Sequence, residues 1–196
     1  MKAPLPHDEP ARLEALRRYG ILDTDHEEAF DDIARLAANI CQTPVALVSF
    51  VDSDRQWFKA RVGFSSRETP RDVSFCAHAI LQPGPLVVRD TFDDARFRDN
   101  PLVSSAPYIR FYAGSPLTSA EGFKLGTLCV LDRVPRELRP EQLDALRMLG
   151  NQAMALLDMR RALAYLAGAL DERKREMEEL ERRLRMNEEA AHGGED

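Results

Sequence analysis

From Val45 to Val51 the chain reads VALVSFV, a nearly continuous apolar run that predicts a strand covered on both faces. Asp52-Ser53-Asp54 turns the chain, and Arg55 to Val62 returns as a second strand with Trp57 and Phe58 on opposite faces. A second pair of strands spans Tyr108 to Asp132. Ile109, Phe111 and Ala113 alternate there with Arg110, Tyr112 and Gly114, the period of a strand with one face buried. Thr118 to Gly122 carries turn chemistry. Lys124 to Leu131 returns as an apolar, β-branched strand, with Gly126 where a side chain would crowd a neighbour. A hairpin alone is barely stable in water, so this one calls for further strands or a helix on its apolar face.

Helical spacing surrounds these strands. Arg12 to Tyr19 predicts a short helix with Gly20 as its C-cap. Glu27 to Cys41 predicts a second, with Phe30, Ile33, Ala37 and Ile40 on one apolar stripe. Gly63 to Asp72 reads as a loop, Ser74 to Leu81 as a short helix stopped by Pro83-Gly84-Pro85, and Leu86 to Val88 as a short strand. Asp90 to Pro107 is irregular, with one helical turn near Asn100 to Val103; ordered connections of that length tend to be functional. The element order predicts an α+β fold, a central antiparallel sheet of five or six strands with helices on both faces.

After Pro135 and Pro140 a long helix begins at about Glu141. Leu156, Leu163, Leu170, Met177 and Leu184 recur every seven residues. Met159, Leu166, Arg173, Leu180 and Asn187 follow each by three. This is the a/d seam of a coiled coil, with Arg173 weakening it and Asn187 placed to set its register. A helix from Glu141 to Glu189 is about 73 Å long at 1.5 Å per residue, more than one domain covers. A parallel homodimer through the C-terminal helix is the simplest cover. The alternative is a solvated single helix laced by Glu178–Arg182 and Glu179–Arg183 pairs. The expected divisions are a mobile N-terminal segment over 1–9, a domain over 10–160, a coiled-coil helix over 161–190 and a disordered tail over 191–196.

Composition narrows the function. The formal charge is −6, and Asp171 to Asp196 holds ten Asp/Glu against six Lys/Arg, which argues against nucleic acid as the main partner. Three cysteines without paired spacing suit a reducing compartment. No apolar run marks a signal peptide or a membrane span, so the sequence reads as cytoplasmic, with no membrane partner.

Six blocks together carry a family resemblance: Gly20 to Thr24, Arg55 to Ala60, Ser74 to Ile80, Asp94 to Val103, Ile109 to Gly114, and Leu125 to Arg136. In this order they resemble a GAF domain of the bacterial sensory type, over roughly Arg12 to Arg160. The resemblance implies a sheet with the first and last helices on one face. It implies a small-molecule pocket on the other, beneath short helices and the loop before the hairpin. It also implies a terminal helix that passes a signal to a kinase, cyclase or phosphodiesterase. No such output domain follows in this sequence, so the expectation is a stand-alone sensor or a part of a longer protein.

By that resemblance, Phe75, Phe97 and Tyr112 would wall the pocket, and Ser74, His78, Asp90, Asn100 and Arg110 would orient a ligand. The same aromatics also suit plain core. Asp90 and Asn100 also suit turn caps, and Arg110 suits an ion pair with Asp90 or Asp94. Cys76-Ala77-His78 departs from the adjacent Cys-His of bilin-binding GAF domains, which argues against a covalent pigment. Its i, i+2 spacing suits neither a metal site nor a nucleophile–base pair. Cys41 and Cys129 read as small buried hydrophobes. No catalytic residues or metal ligands are assigned, and a cofactor is unknown. The leading expectation is a non-enzymatic sensory module that binds an unidentified small molecule. The alternatives are an interaction or dimerisation domain whose pocket is filled by its own side chains, and a small redox enzyme of the free-methionine sulfoxide reductase type.

Overall fold

The computed structural model describes residues 2–192. Among them, helices α1 (Glu9–Tyr19), α2 (Glu28–Cys41), α3 (Phe75–Ala79), α4 (Pro101–Ser104) and α5 (Pro140–His192) accompany six strands. The strands are β1 (Val45–Val51), β2 (Arg55–Val62), β3 (Glu68–Pro70), β4 (Leu86–Val88), β5 (Phe111–Thr118) and β6 (Lys124–Asp132). They form one antiparallel sheet in the order β3-β2-β1-β6-β5-β4. Residues up to Asp158 make one compact unit and those from Met159 a second.

Each face of the sheet has its own core. On one, α1, α2 and the start of α5 pack Leu16, Phe30, Ile33, Leu146 and Leu157 against Val48, Phe50, Trp57, Phe111 and Val130. On the other, α3 and the chain around α4 pack Phe75, Ile80, Phe97 and Val103 against Leu47, Val51, Phe58, Tyr112 and Cys129. Alternation along the central strands feeds both cores, so β5 is buried on both faces rather than on one. Ile109 lies before β5 begins and joins the Tyr112 side instead of the Phe111 side, so the strand alternation does not extend back to it.

Several boundaries differ from the sequence pattern for local reasons. Helix α1 starts at Glu9 rather than Arg12, with Pro10 in its first turn, where a missing N–H costs nothing. The 1–9 segment is therefore partly structured: Glu9 is buried and Ala3 packs into the second core. In α2 the buried stripe is Phe30, Ile33, Ala34, Ala37, Ala38 and Cys41, while Ile40 is partly exposed. Within the stretch 63–72, expected as loop, β3 adds an edge strand to β2. Between Val48 and Ser49 the β1–β2 register slips, leaving Lys59 without a strand partner, a β-bulge. Gly126 stands where an added Cβ would lie 1.9 Å from the Ser49 carbonyl oxygen, so two backbones approach there with no room for a side chain.

In the second unit the seam residues Met159, Leu163, Leu166, Leu170, Met177, Leu180 and Leu184 are all exposed in the single chain. The side chain of Asn187 and residues 193–196 of the expected tail lie outside the described residues.

Candidate functional site

The face that carries α3 and α4 holds most of the side chains assigned from the sequence. Ser74 is the N-cap of α3: its Oγ accepts from the Ala77 N–H at 3.0 Å and donates to Gln56. That cap aims the next residue, Phe75, down at the sheet. Its ring stacks on Phe97 at 4.4 Å and on Tyr112 at 5.3 Å between centroids. His78, one turn along α3, is buried edge-on against Phe97 at 4.8 Å. Asn100 caps α4 by accepting from the Leu102 N–H at 2.9 Å, and donates across to the Val73 carbonyl at 2.9 Å. These six residues come together. Asp90 and Arg110 form a separate, two-pronged ion pair at 2.9 and 2.6 Å near the sheet edge, and Arg110 lies over the Phe92 ring at 4.0 Å. Hydrogen bonding from that guanidinium holds the Asp90 carboxyl below the usual carboxylate range.

The stack occupies the space above the sheet. The cavity left beside Phe75, Cys76 and Tyr112 measures about 20 Å³, room for roughly one water. The larger concavities are surface grooves elsewhere. One, of about 750 Å³, is lined by Asp90, Asp94, Arg96 and Glu137. Another, of about 900 Å³, is lined by Asp25, His26, Arg35 and Lys59. Lys59 closes the floor of the second: its buried ammonium donates to Thr24 Oγ1 at 2.9 Å, to Glu27 at 2.7 Å and to the Asp25 carbonyl.

Beneath Phe75 lies a polar group that sequence spacing did not single out. Cys76 Sγ meets Thr127 Oγ1 at 2.9 Å, Ser49 Oγ at 3.3 Å, Tyr112 Oη at 3.4 Å and Cys129 Sγ at 3.7 Å. Tyr112 reaches it because Gly114, two residues along β5, offers no Cβ; one placed there would fall 2.1 Å from the Tyr112 oxygen. Ser49 and Thr127 are the visible sequence clue, two hydroxyls in the apolar middles of β1 and β6. Burial pushes the Cys76 thiol up, but hydrogen bonds from Cys129, Ser49, Thr127 and Tyr112 overcome this and bring it below the ordinary thiol value. Cys129 goes the other way, raised by burial and by Cys76. Burial also raises the Tyr112 hydroxyl well above its usual value, so it stays a donor. Cys41, on the opposite face, is lifted to about 11 by burial. Among the described residues no group of three His, Cys, Asp or Glu side chains is placed to hold a metal ion, and no helix is long and apolar enough to cross a membrane.

Residues 25–157 match the model of the GAF domain. The chain belongs to the GAF domain family. Over 164 residues it is 44% identical to a cyclic di-GMP phosphodiesterase of Pseudomonas aeruginosa; the match covers 83% of this chain. The chain spans only 28% of that relative's length. Among solved structures, the GAF domain of an Acinetobacter phosphoenolpyruvate-protein phosphotransferase superposes with a TM-score of 0.57 at 15% identity, covering 79% of this chain and 98% of that one. The blue-light absorbing form of the PixJ GAF domain of Thermosynechococcus elongatus gives 0.57 at 15% identity, covering 80% and 94%. At such identities the structures share the fold, and a shared fold does not transfer a ligand.

Proposed function

We propose that this GAF domain is a non-enzymatic regulatory module that pairs with a second copy through its C-terminal helix and passes its state to an output partner. The uncovered heptad stripe carries this reading. Leu163, Leu166, Leu170, Leu180 and Leu184 are each more than half exposed, an arrangement that a partner helix relieves at little entropic cost. The likeness to a cyclic di-GMP phosphodiesterase suggests a cyclic-dinucleotide enzyme as the output, on the same polypeptide or another. Light scattering on the chain tests the pairing. A dimer that Leu163→Asp with Leu170→Asp converts to monomer, while the melting of the GAF unit stays in place, is the expected result. A wild-type monomer at high micromolar concentration would refute it.

The state of the pocket fits a module whose ligand space is filled by its own Phe75, Phe97 and Tyr112. A second reading keeps a small-molecule sensor, with Ser74, Phe75, His78, Asp90, Phe97, Asn100, Arg110 and Tyr112 as its ligand contacts. The roof favours it: α3 has five residues and α4 four, with irregular chain between, so the stack is covered by segments that open at low cost. Thermal shift against a metabolite panel that includes cyclic nucleotides separates the two. A saturable shift supports the sensor, and its absence supports the self-filled module.

A further inference from the structure

Cysteines buried for packing sit among apolar side chains, as Cys41 does, with a weak polar contact to the Gln142 carbonyl oxygen at 4.0 Å. Cys76 does not. Three hydroxyl oxygens and a second sulfur converge on one sulfur atom within the second core cluster. A neutral thiol is a weak acceptor and gains little from that company, whereas a thiolate gains a great deal. Not all three protons need point at it at once, since Ser49 Oγ also lies 3.2 Å from Thr127 Oγ1 and 3.3 Å from the Thr127 carbonyl. Even so, the three hydroxyls lie within 3.4 Å of Cys76 and favour negative charge there, whereas the Cys129 sulfur meets Cys76 itself, which with burial keeps Cys129 a thiol. Both sulfurs line the same cavity of about 20 Å³.

We propose that Cys76 and Cys129 are a dithiol that a small hydroperoxide converts reversibly into an intramolecular disulfide. The Cys76 thiolate attacks the terminal peroxide oxygen. The S–O bond forms, the O–O bond breaks, and the departing alkoxide or hydroxide takes up a proton. Cys76 is then a sulfenic acid. Cys129 loses its proton and attacks the Cys76 sulfur; the S–S bond forms, the S–O bond breaks, and the oxygen leaves as water. In sum, two thiols and one hydroperoxide give one disulfide, one alcohol (or water) and one water. An external dithiol reverses it by exchange. The cavity admits a molecule near the size of water, so hydrogen peroxide enters with only a small opening of α3. The sulfurs, 3.7 Å apart, must then approach by about 1.7 Å to reach bonding distance. Cys76 rides on α3 with Phe75 and His78, so the new bond pulls the base of the aromatic stack towards β6. This goes beyond the regulatory reading and stands or falls separately from helix pairing, because it is read on the thiols themselves.

The test treats the reduced full chain with hydrogen peroxide under folding conditions, then unfolds it in alkylating reagent and maps the peptides. The expected result is a fall from three free thiols to one, a peptide containing Cys76 joined to one containing Cys129, and recovery of both thiols with dithiothreitol. In Cys129→Ala, dimedone traps a sulfenic acid at Cys76. Thr127→Val slows disulfide formation about fivefold near neutral pH by weakening the thiolate. Three free thiols after treatment of the folded wild-type chain, or a link that uses Cys41, would overturn the proposal whatever the variants do.

Discussion

Ser49 and Thr127 face each other across β1 and β6, and their hydroxyl oxygens, 3.2 Å apart, both lie within hydrogen-bonding reach of the Cys76 sulfur. The pairing depends on strand register. A slip of β6 by one residue would turn the Thr127 hydroxyl, the nearest of Cys76's partners, to the other face. The register is held by the close approach at Gly126, one residue before Thr127, where the backbone of β6 lies against that of Ser49.

Gly126→Ala is therefore expected to destabilise severely, by about 2 kcal/mol or more, because the Cβ would collide with backbone that has nowhere to move. Urea denaturation followed by circular dichroism measures it. A loss under about 0.5 kcal/mol would show that the strands part there at no cost.

Phe75→Ala removes the middle ring of the stack with Phe97 and Tyr112. The expected loss is about 3–5 kcal/mol, the range for a fully buried aromatic. If the variant folds, it gains a void that takes up xenon or a small aromatic compound, visible as a ligand-dependent rise in Tm. The wild-type chain is expected to show no such rise.

Glu9 sits between two guanidinium groups, with Arg12 at 2.7 Å on both oxygens and Arg71 at 2.5 Å. Burial opposes its charge, and the hydrogen bonds from Arg12 and Arg71 overcome that, so its carboxyl titrates below the usual 4.5. A folded-state pKa below the unfolded one contributes stability that is complete above the unfolded pKa and is lost as pH falls through the folded one. Glu9→Gln leaves two buried cations short of a counter-ion and is expected to cost about 3 kcal/mol at pH 7. The gap between wild type and variant should then narrow below about pH 4.5 as Glu9 itself becomes neutral. Melting curves from pH 7 to pH 3 check this; a gap that stays constant would exclude Glu9 as the titrating group.

The heptad stripe yields a further expectation. Helicity of the segment from Met159 onward should rise with protein concentration, as an isolated helix with an uncovered apolar seam is marginal until paired. Circular dichroism at 222 nm across a dilution series measures it. Helicity that is full and independent of concentration would favour the solvated single helix.

Local pattern was enough for the strands that run through the core. Val45–Val51 lies where its apolar run places it, because a strand buried on both faces admits almost no polar residue, and Arg55–Val62 follows from the turn at Asp52. The seven-residue spacing from Leu156 to Leu184 likewise lies on continuous helix. Edge and end effects were less legible. β3 is three residues long and takes its hydrogen bonds from β2, so nothing in its own composition marks it. The bulge at Lys59 depends on how β2 pairs with β1, and no single strand carries that information.

What the sequence by itself determined, then, is the layer order and the membership of the family, since both rest on periodicity and on short blocks of neighbouring residues. Only the tertiary structure decided what lies above the sheet. Ser74, Phe75, His78, Phe97, Asn100 and Tyr112 meet there, Asp90 and Arg110 pair elsewhere, and the rings fill the space between. Only folding, too, brings Cys76 and Cys129 within 3.7 Å across 53 positions of chain. Side chains that far apart in sequence become neighbours through strand register and helix placement, and neither is encoded at the residues that end up touching.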